Sequence, residues 1–105
     1  MSTYAPIILR GLGNSPATIV KPTPDSPAYG IGLLCTVSAG AGLTYSVQVT
    51  NDPIPTDGGN WNEHDTLTLQ TGSSNGNIDY AVNAVRLVVT AWSSGSVNLG
   101  IGTWP

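Results

Sequence analysis

Apolar and polar residues alternate along most of the chain. In LTYSVQVT, Leu43, Tyr45, Val47 and Val49 face one way and Thr44, Ser46, Gln48 and Thr50 the other, the period of two that marks a half-buried strand. DTLTLQ repeats it with Leu67 and Leu69, and IGLLCTV holds Ile31, Leu33, Cys35 and Val37 in one phase. Near the end, Val85, Leu87, Val89 and Ala91 share one face, and Val97, Leu99 and Ile101 share one face of the next run. No stretch keeps a helical period over the roughly 11 residues that a helix requires.

These runs predict strands near residues 7–12, 17–21, 30–38, 43–50, 65–71, 78–82, 84–92 and 96–102. Ser74, Asn75 and Gly76 read as a turn before the last three strands, and Ser93, Ser94 and Gly95 as the turn of a terminal hairpin. About eight short strands spaced about ten residues apart predict an all-β, antiparallel sandwich, with a jelly roll favoured. The predicted core comprises Leu33, Cys35 and Val37, then Tyr45, Val47 and Val49, then Leu67 and Leu69, then Val85, Leu87 and Val89, and finally Val97, Leu99 and Ile101.

Five of the eight prolines fall between Pro6 and Pro27. Proline donates no N–H and fixes φ, so residues 1–28 are expected to form an extended arm with edge strands. Fully extended, such an arm spans roughly 90 Å, enough to reach a neighbouring subunit. Residues 29–105 form the sandwich, in a single globular domain overall.

Charge changes the picture further, because charged residues make up only 9% of the chain and the net charge is −3. Three scattered cations, Arg10, Lys21 and Arg86, cannot neutralise a run of phosphates, which argues against nucleic acid as a partner. The apolar runs are far shorter than the roughly 20 residues of a membrane-spanning helix. MSTYAPIILRGLG has neither the basic start nor the long apolar centre of a signal peptide, so the mature protein is expected to begin here. Cys35 is the single cysteine, and its phase with Ile31 and Leu33 marks it as a buried hydrophobe rather than a reactive thiolate.

Candidate chemistry is sparse. His64 followed by Asp65 has the makings of a base and its orienter, but no nucleophile elbow accompanies it, and a histidine bonded to nearby backbone accounts for it better. Asp52, Asp57 and Glu63 crowd the irregular segment 51–64 and Asp65 directly follows it; there a calcium site competes with ordinary turn chemistry and the turns are favoured. No cofactor is expected. GLGNSP resembles a phosphate loop only superficially, since Pro16 and β-branched residues follow it instead of a helix.

Aromatic and cationic side chains outside the core phase are the candidate partner-interface residues: Tyr4, Arg10, Tyr29, Trp61, Arg86 and Trp104. Arg86 is the only charge in residues 84–102, and the face it shares with Val88, Thr90 and Trp92 is half apolar. That face is expected to meet a neighbouring subunit, with Arg86 either facing a carboxylate of that subunit or pairing with Asp79 or another carboxylate of its own chain. Trp61 with its polar loop supports a competing reading, a glycan-binding module of a tail fibre or other attachment structure.

The string SVQVTNDP, then Trp61 and HDTL, then GNIDYAVNAVRLVVTAWSSGSVNL, resembles a group of short virion proteins of tailed bacteriophages, the head decoration or cement proteins. The resemblance covers roughly residues 43–101 and is carried chiefly by Tyr80, Val82, Ala84, Arg86, Leu87 and the closing SGSV. It implies a jelly roll or related sandwich, often a homotrimer, that sits on the outer surface of the capsid and bridges major capsid subunits. It brings no catalytic residue and no enzyme activity. The implied partners are the major capsid protein and further copies of the chain itself, with no nucleic acid and no membrane.

Overall fold

In a computed structural model, the protein is described over residues 2–3, 6–20, 31–52, 56, 58–78 and 82–103. These residues form ten strands: β1 (Ser2–Thr3), β2 (Ile7–Leu9), β3 (Gly13–Asn14), β4 (Thr18–Ile19), β5 (Ile31–Val37), β6 (Gly42–Thr50), β7 (Asn62–Glu63), β8 (Ser74–Ile78), β9 (Ala84–Ser94) and β10 (Val97–Thr103). Every pairing is antiparallel. Sheet I runs β1/β2, β10, β5, β8, and sheet II runs β3/β4, β9, β6, β7. With β1/β2 and β3/β4 each counted as one interrupted strand, this is the eight-stranded double-sheet order of a jelly roll.

The two sheets enclose one core. Leu33 and Cys35 from β5 meet Tyr45, Val47 and Val49 from β6, with Val85, Leu87 and Val89 from β9 and Val97, Leu99 and Ile101 from β10. Val20, Leu43, Leu67, Ile78 and Val82 complete it. Val37 is only half-buried at the margin, because β5 ends there.

The described residues of the N-terminal segment, 2–3 and 6–19, lie at the sheet edges. They form the edge strand of both sheets, β1 and β2 on β10 and then β3 and β4 on β9. The crossing between sheets falls at Arg10–Leu12, and Pro16, which has no N–H to donate, sits in the break between β3 and β4. Ser15 fills that break: its N–H donates to the Leu87 carbonyl at 2.8 Å, and its Oγ accepts from the Leu87 N–H at 2.9 Å. Residues 21–30, which hold the densest prolines, lie outside the described residues.

The expected terminal hairpin is absent. β9 pairs with β6 in sheet II, whereas β10 pairs with β5 in sheet I, so Ser94–Ser96 carries the chain from one sheet to the other. Gly95 makes this crossing with φ +89°, and a Cβ there would lie 2.4 Å from the Ala41 Cβ. Two irregularities in the β9–β6 ladder, which skip Thr90 and Ser93 in the register, also reverse the alternation. Ala91 therefore shares the face of Thr44, and Trp92 shares the core face of Leu43, the reverse of the simple pattern.

Residues 65–71 are not a regular strand either. The Val47 carbonyl accepts from the His64 N–H, while the Val47 N–H donates to the Leu67 carbonyl, both at 2.8 Å, so two residues loop out between them. The pairing closes again at Tyr45 and Gln70. Leu69, expected in the core, instead adopts φ +52° and is 60% exposed, with its N–H donated to Ser46 Oγ. Ser74–Ile78 is a strand, not a turn, and Gly76 is glycine for want of room. A Cβ there would lie 3.1–3.2 Å from His64, Leu67 and Thr66.

Candidate functional site

Trp61, Arg86, His64 and Asp52 all gather along the β6–β7 side of sheet II, and the register explains how. Gln48 on β6 lies opposite Arg86 on β9 and Glu63 on β7, which puts the three on one row of the outer face. Arg86 is 6% exposed. Its Nε donates to Gln48 Oε1 at 2.8 Å, and its guanidinium carbon stands 4.2 Å from the Trp61 ring centroid. Arg86 thus has partners inside the chain, Gln48 and Trp61. Val88 beside it is buried as well.

The loop after β6 closes on itself. Asp52 Oδ2 accepts from the Asn60 N–H at 2.8 Å, and Asp52 Oδ1 from the Asn60 side-chain amide at 3.2 Å. These bonds favour the ionised form and hold the Asp52 carboxyl below the usual carboxylate range. Thr50 Oγ1 donates to the Asn60 carbonyl at 2.8 Å, and Trp61 Nε1 donates to the Thr56 carbonyl at 2.7 Å. Asp52 is therefore taken up by turn chemistry. Among the described residues, no group of three His, Cys, Asp or Glu side chains is placed to hold a metal, and Asp57 lies outside them.

His64 is 2% exposed and its ring is fully engaged. Nδ1 faces the N–H groups of Thr66 at 3.2 Å and Leu67 at 3.3 Å, so it must be the acceptor. Nε2 therefore carries the proton and donates to the Asn77 carbonyl at 2.8 Å. Asp65 Oδ1 is 3.8 Å from Nδ1, the nitrogen already occupied, and its side chain is open to solvent. The Thr66 hydroxyl also stands 3.2 Å from Nδ1, so that lone pair is shared among neighbours within the looped-out segment.

Cys35 is buried between the sheets against Tyr45, and burial pushes its thiol up to about 11. Tyr45 donates its hydroxyl to the Gly72 carbonyl at 2.7 Å, and burial raises its own titration too. Both are fully buried core residues. Of the remaining partner-interface candidates, Arg10 is exposed at the crossing between the sheets, whereas Tyr4, Tyr29 and Trp104 lie outside the described residues.

A second surface was not singled out from the pattern of the chain. None of the five strands of sheet I carries a charged residue. On the outer face of that sheet, Ile8, Asn98 and Thr36 form one row; Gly100, Leu34 and Asn75 the next; Gly102, Gly32 and Asn77 a third. Leu34 is 58% exposed and Ile8 47%. Beside Leu34 lies a shallow depression of about 310 Å³, lined by Gly32, Leu33, Leu34, Asn75, Gly76 and Asn77. The signal lay in the out-of-phase positions of IGLLCTV and VNLGIGT, where glycine and leucine stand in place of charge.

Comparison with protein-family models, with curated proteins and with solved structures returns no match for this chain.

Proposed function

We propose that the protein is a structural component of a virion, a decoration or cement protein that binds the outside of a tailed-phage head and bridges major capsid subunits. The observation that carries the reading is the absence of charge from every strand of sheet I, with Leu34 and Ile8 left exposed on its outer face. Interface cores are depleted in charge, whereas a free surface normally is not. The resemblance of residues 43–101 to phage decoration proteins supports the same reading, as does the use of His64, Arg86 and Cys35 to hold the fold together. The acidic net charge suits the outer side of a shell better than the side facing packaged DNA.

The test is to add purified protein to undecorated heads of its phage. Binding that saturates, together with a higher temperature of DNA release, is expected, and imaging of the decorated heads counts the copies at each position. Protein that neither binds the heads nor protects them overturns the proposal. The glycan-binding alternative rests on Trp61, one face of whose ring is taken by Arg86 and whose Nε1 is bonded to Thr56. A glycan array without binding is the expected result.

A further inference from the structure

We infer that the outer face of sheet I is a self-complementary docking surface whose occupant is the same face of a second copy of this chain. The inference rests on reading the chain as an assembly component and names one partner of its uncharged sheet. Glycine inside a strand sacrifices stability and often marks a place where another backbone approaches closely. The fold itself does not demand glycine at positions 32 and 100. A Cβ at Gly32 would come no nearer than 3.9 Å, to the Gly102 carbonyl, and one at Gly100 no nearer than 3.7 Å, to the Leu34 carbonyl. Both distances are ordinary contact, and neither residue has a positive φ. Space above these positions is thus kept free on a face that also exposes a leucine.

The register makes that face match itself. Leu34 and Gly32 occupy the same strand two residues apart, as do Asn75 and Asn77, and Gly100 and Gly102. A two-fold axis lying between two stacked sheets, across the strands at the level of Leu33, sets each Leu34 over the other copy's Gly32. The same rotation sets Asn75 over the other copy's Asn77 and Gly100 over its Gly102. A leucine side chain then fills the room a missing side chain leaves, and facing amides each donate and accept, so no charge is required. An uncharged surface of this kind needs an equally uncharged partner, and an identical copy supplies one.

Size sets the strength. With the axis at Leu33, four strand positions at about 4.8 Å and the five overlapping residue levels at about 3.4 Å give a flat footprint of roughly 330 Å². A standard stable interface buries about 800 Å² per partner, so the pair is weak and transient. On a shell, where copies are crowded together, such a contact is populated through high effective concentration.

Sedimentation of the full chain from about 10 μM to about 1 mM, the range over which weak pairs form and dissociate, tests the pairing. Reversible dimer formation is expected, weakened at least tenfold by Leu34→Lys and by Gly32→Leu. Leu69→Lys, which removes an exposed leucine elsewhere, is expected to leave it unchanged. Circular dichroism and melting of each variant confirm that the sandwich is intact, and Gly100→Ala is expected to melt no lower than the parent. A chain that stays monomeric, one that forms only trimers, or a dimer insensitive to Leu34→Lys overturns the inference. The two proposals fail separately: head binding by a strictly monomeric protein overturns the pairing alone, and dimers that ignore heads overturn the functional reading alone.

Discussion

His64 Nε2 donates to the carbonyl of Asn77 across 2.8 Å, joining the segment that borders sheet II to the outermost strand of sheet I. The other ring nitrogen accepts from Thr66 and Leu67, so a single side chain both shapes the looped-out segment and stitches one open side of the sandwich. The Asn77 carbonyl on the β8 edge is thereby used inside the chain instead of being offered to a foreign strand.

His64→Ala leaves two N–H groups and one carbonyl without their partner and opens a cavity where the ring was. A loss of about 3 kcal/mol or more is expected. A lower urea midpoint at unchanged slope is the measurement, and a shift under about 0.5 kcal/mol would show that the stitch contributes little.

Arg86 works inside the molecule, so its removal is expected to act on the fold. Arg86→Ala loses the bond to Gln48 and the contact with Trp61, which together stabilise by about 2–4 kcal/mol, or roughly 10–20 °C in melting temperature. Arg86→Lys keeps the charge without the planar guanidinium and falls between the two. Sedimentation of Arg86→Ala matching that of the parent is expected, and loss of assembly without loss of stability would contradict the internal role.

Gly95 combines a positive φ with a crowded approach to Ala41. Gly95→Ala is expected to cost about 2–4 kcal/mol from the left-handed backbone and the overlap together. Calorimetric melting measures it. Gly40→Ala, with φ +74° but open space around it, is the comparison and is expected to cost less.

Asp52 gives the fold a dependence on acid. Its folded carboxyl titrates below the unfolded one, so the stability it contributes is complete above the unfolded value near pH ~3.9 and is lost as pH falls through the depressed folded value. The difference in melting temperature between the parent and Asp52→Asn is therefore expected to be constant from about pH 7 to 5 and to shrink on further acidification. A gap that does not narrow in acid would mean that the bonds from Asn60 do not favour the charged form.

Alternation by itself identified the β class, the inward phase of β5, β6 and β10, and the burial of Leu33, Cys35, Tyr45 and Leu99. A period of two is local, set by the pleat of each strand and independent of its neighbours. The chain also showed that charge is scarce, which is a matter of counting. Pairing settled the rest. Gly95 has the turn chemistry of a hairpin whether the next strand returns to the same sheet or crosses to the other, and only the docking of β10 on β5 distinguishes them. Leu69 alternates correctly with Leu67, yet it is turned outward because Val47 bonds two residues that are three apart and the histidine ring fills the loop between them. Likewise, Arg86 is an isolated cation in the sequence, and only the register of β6, β7 and β9 brings Gln48 and Trp61 to it. Those outcomes depend on contacts between residues far apart in the chain, whose energies no local pattern contains.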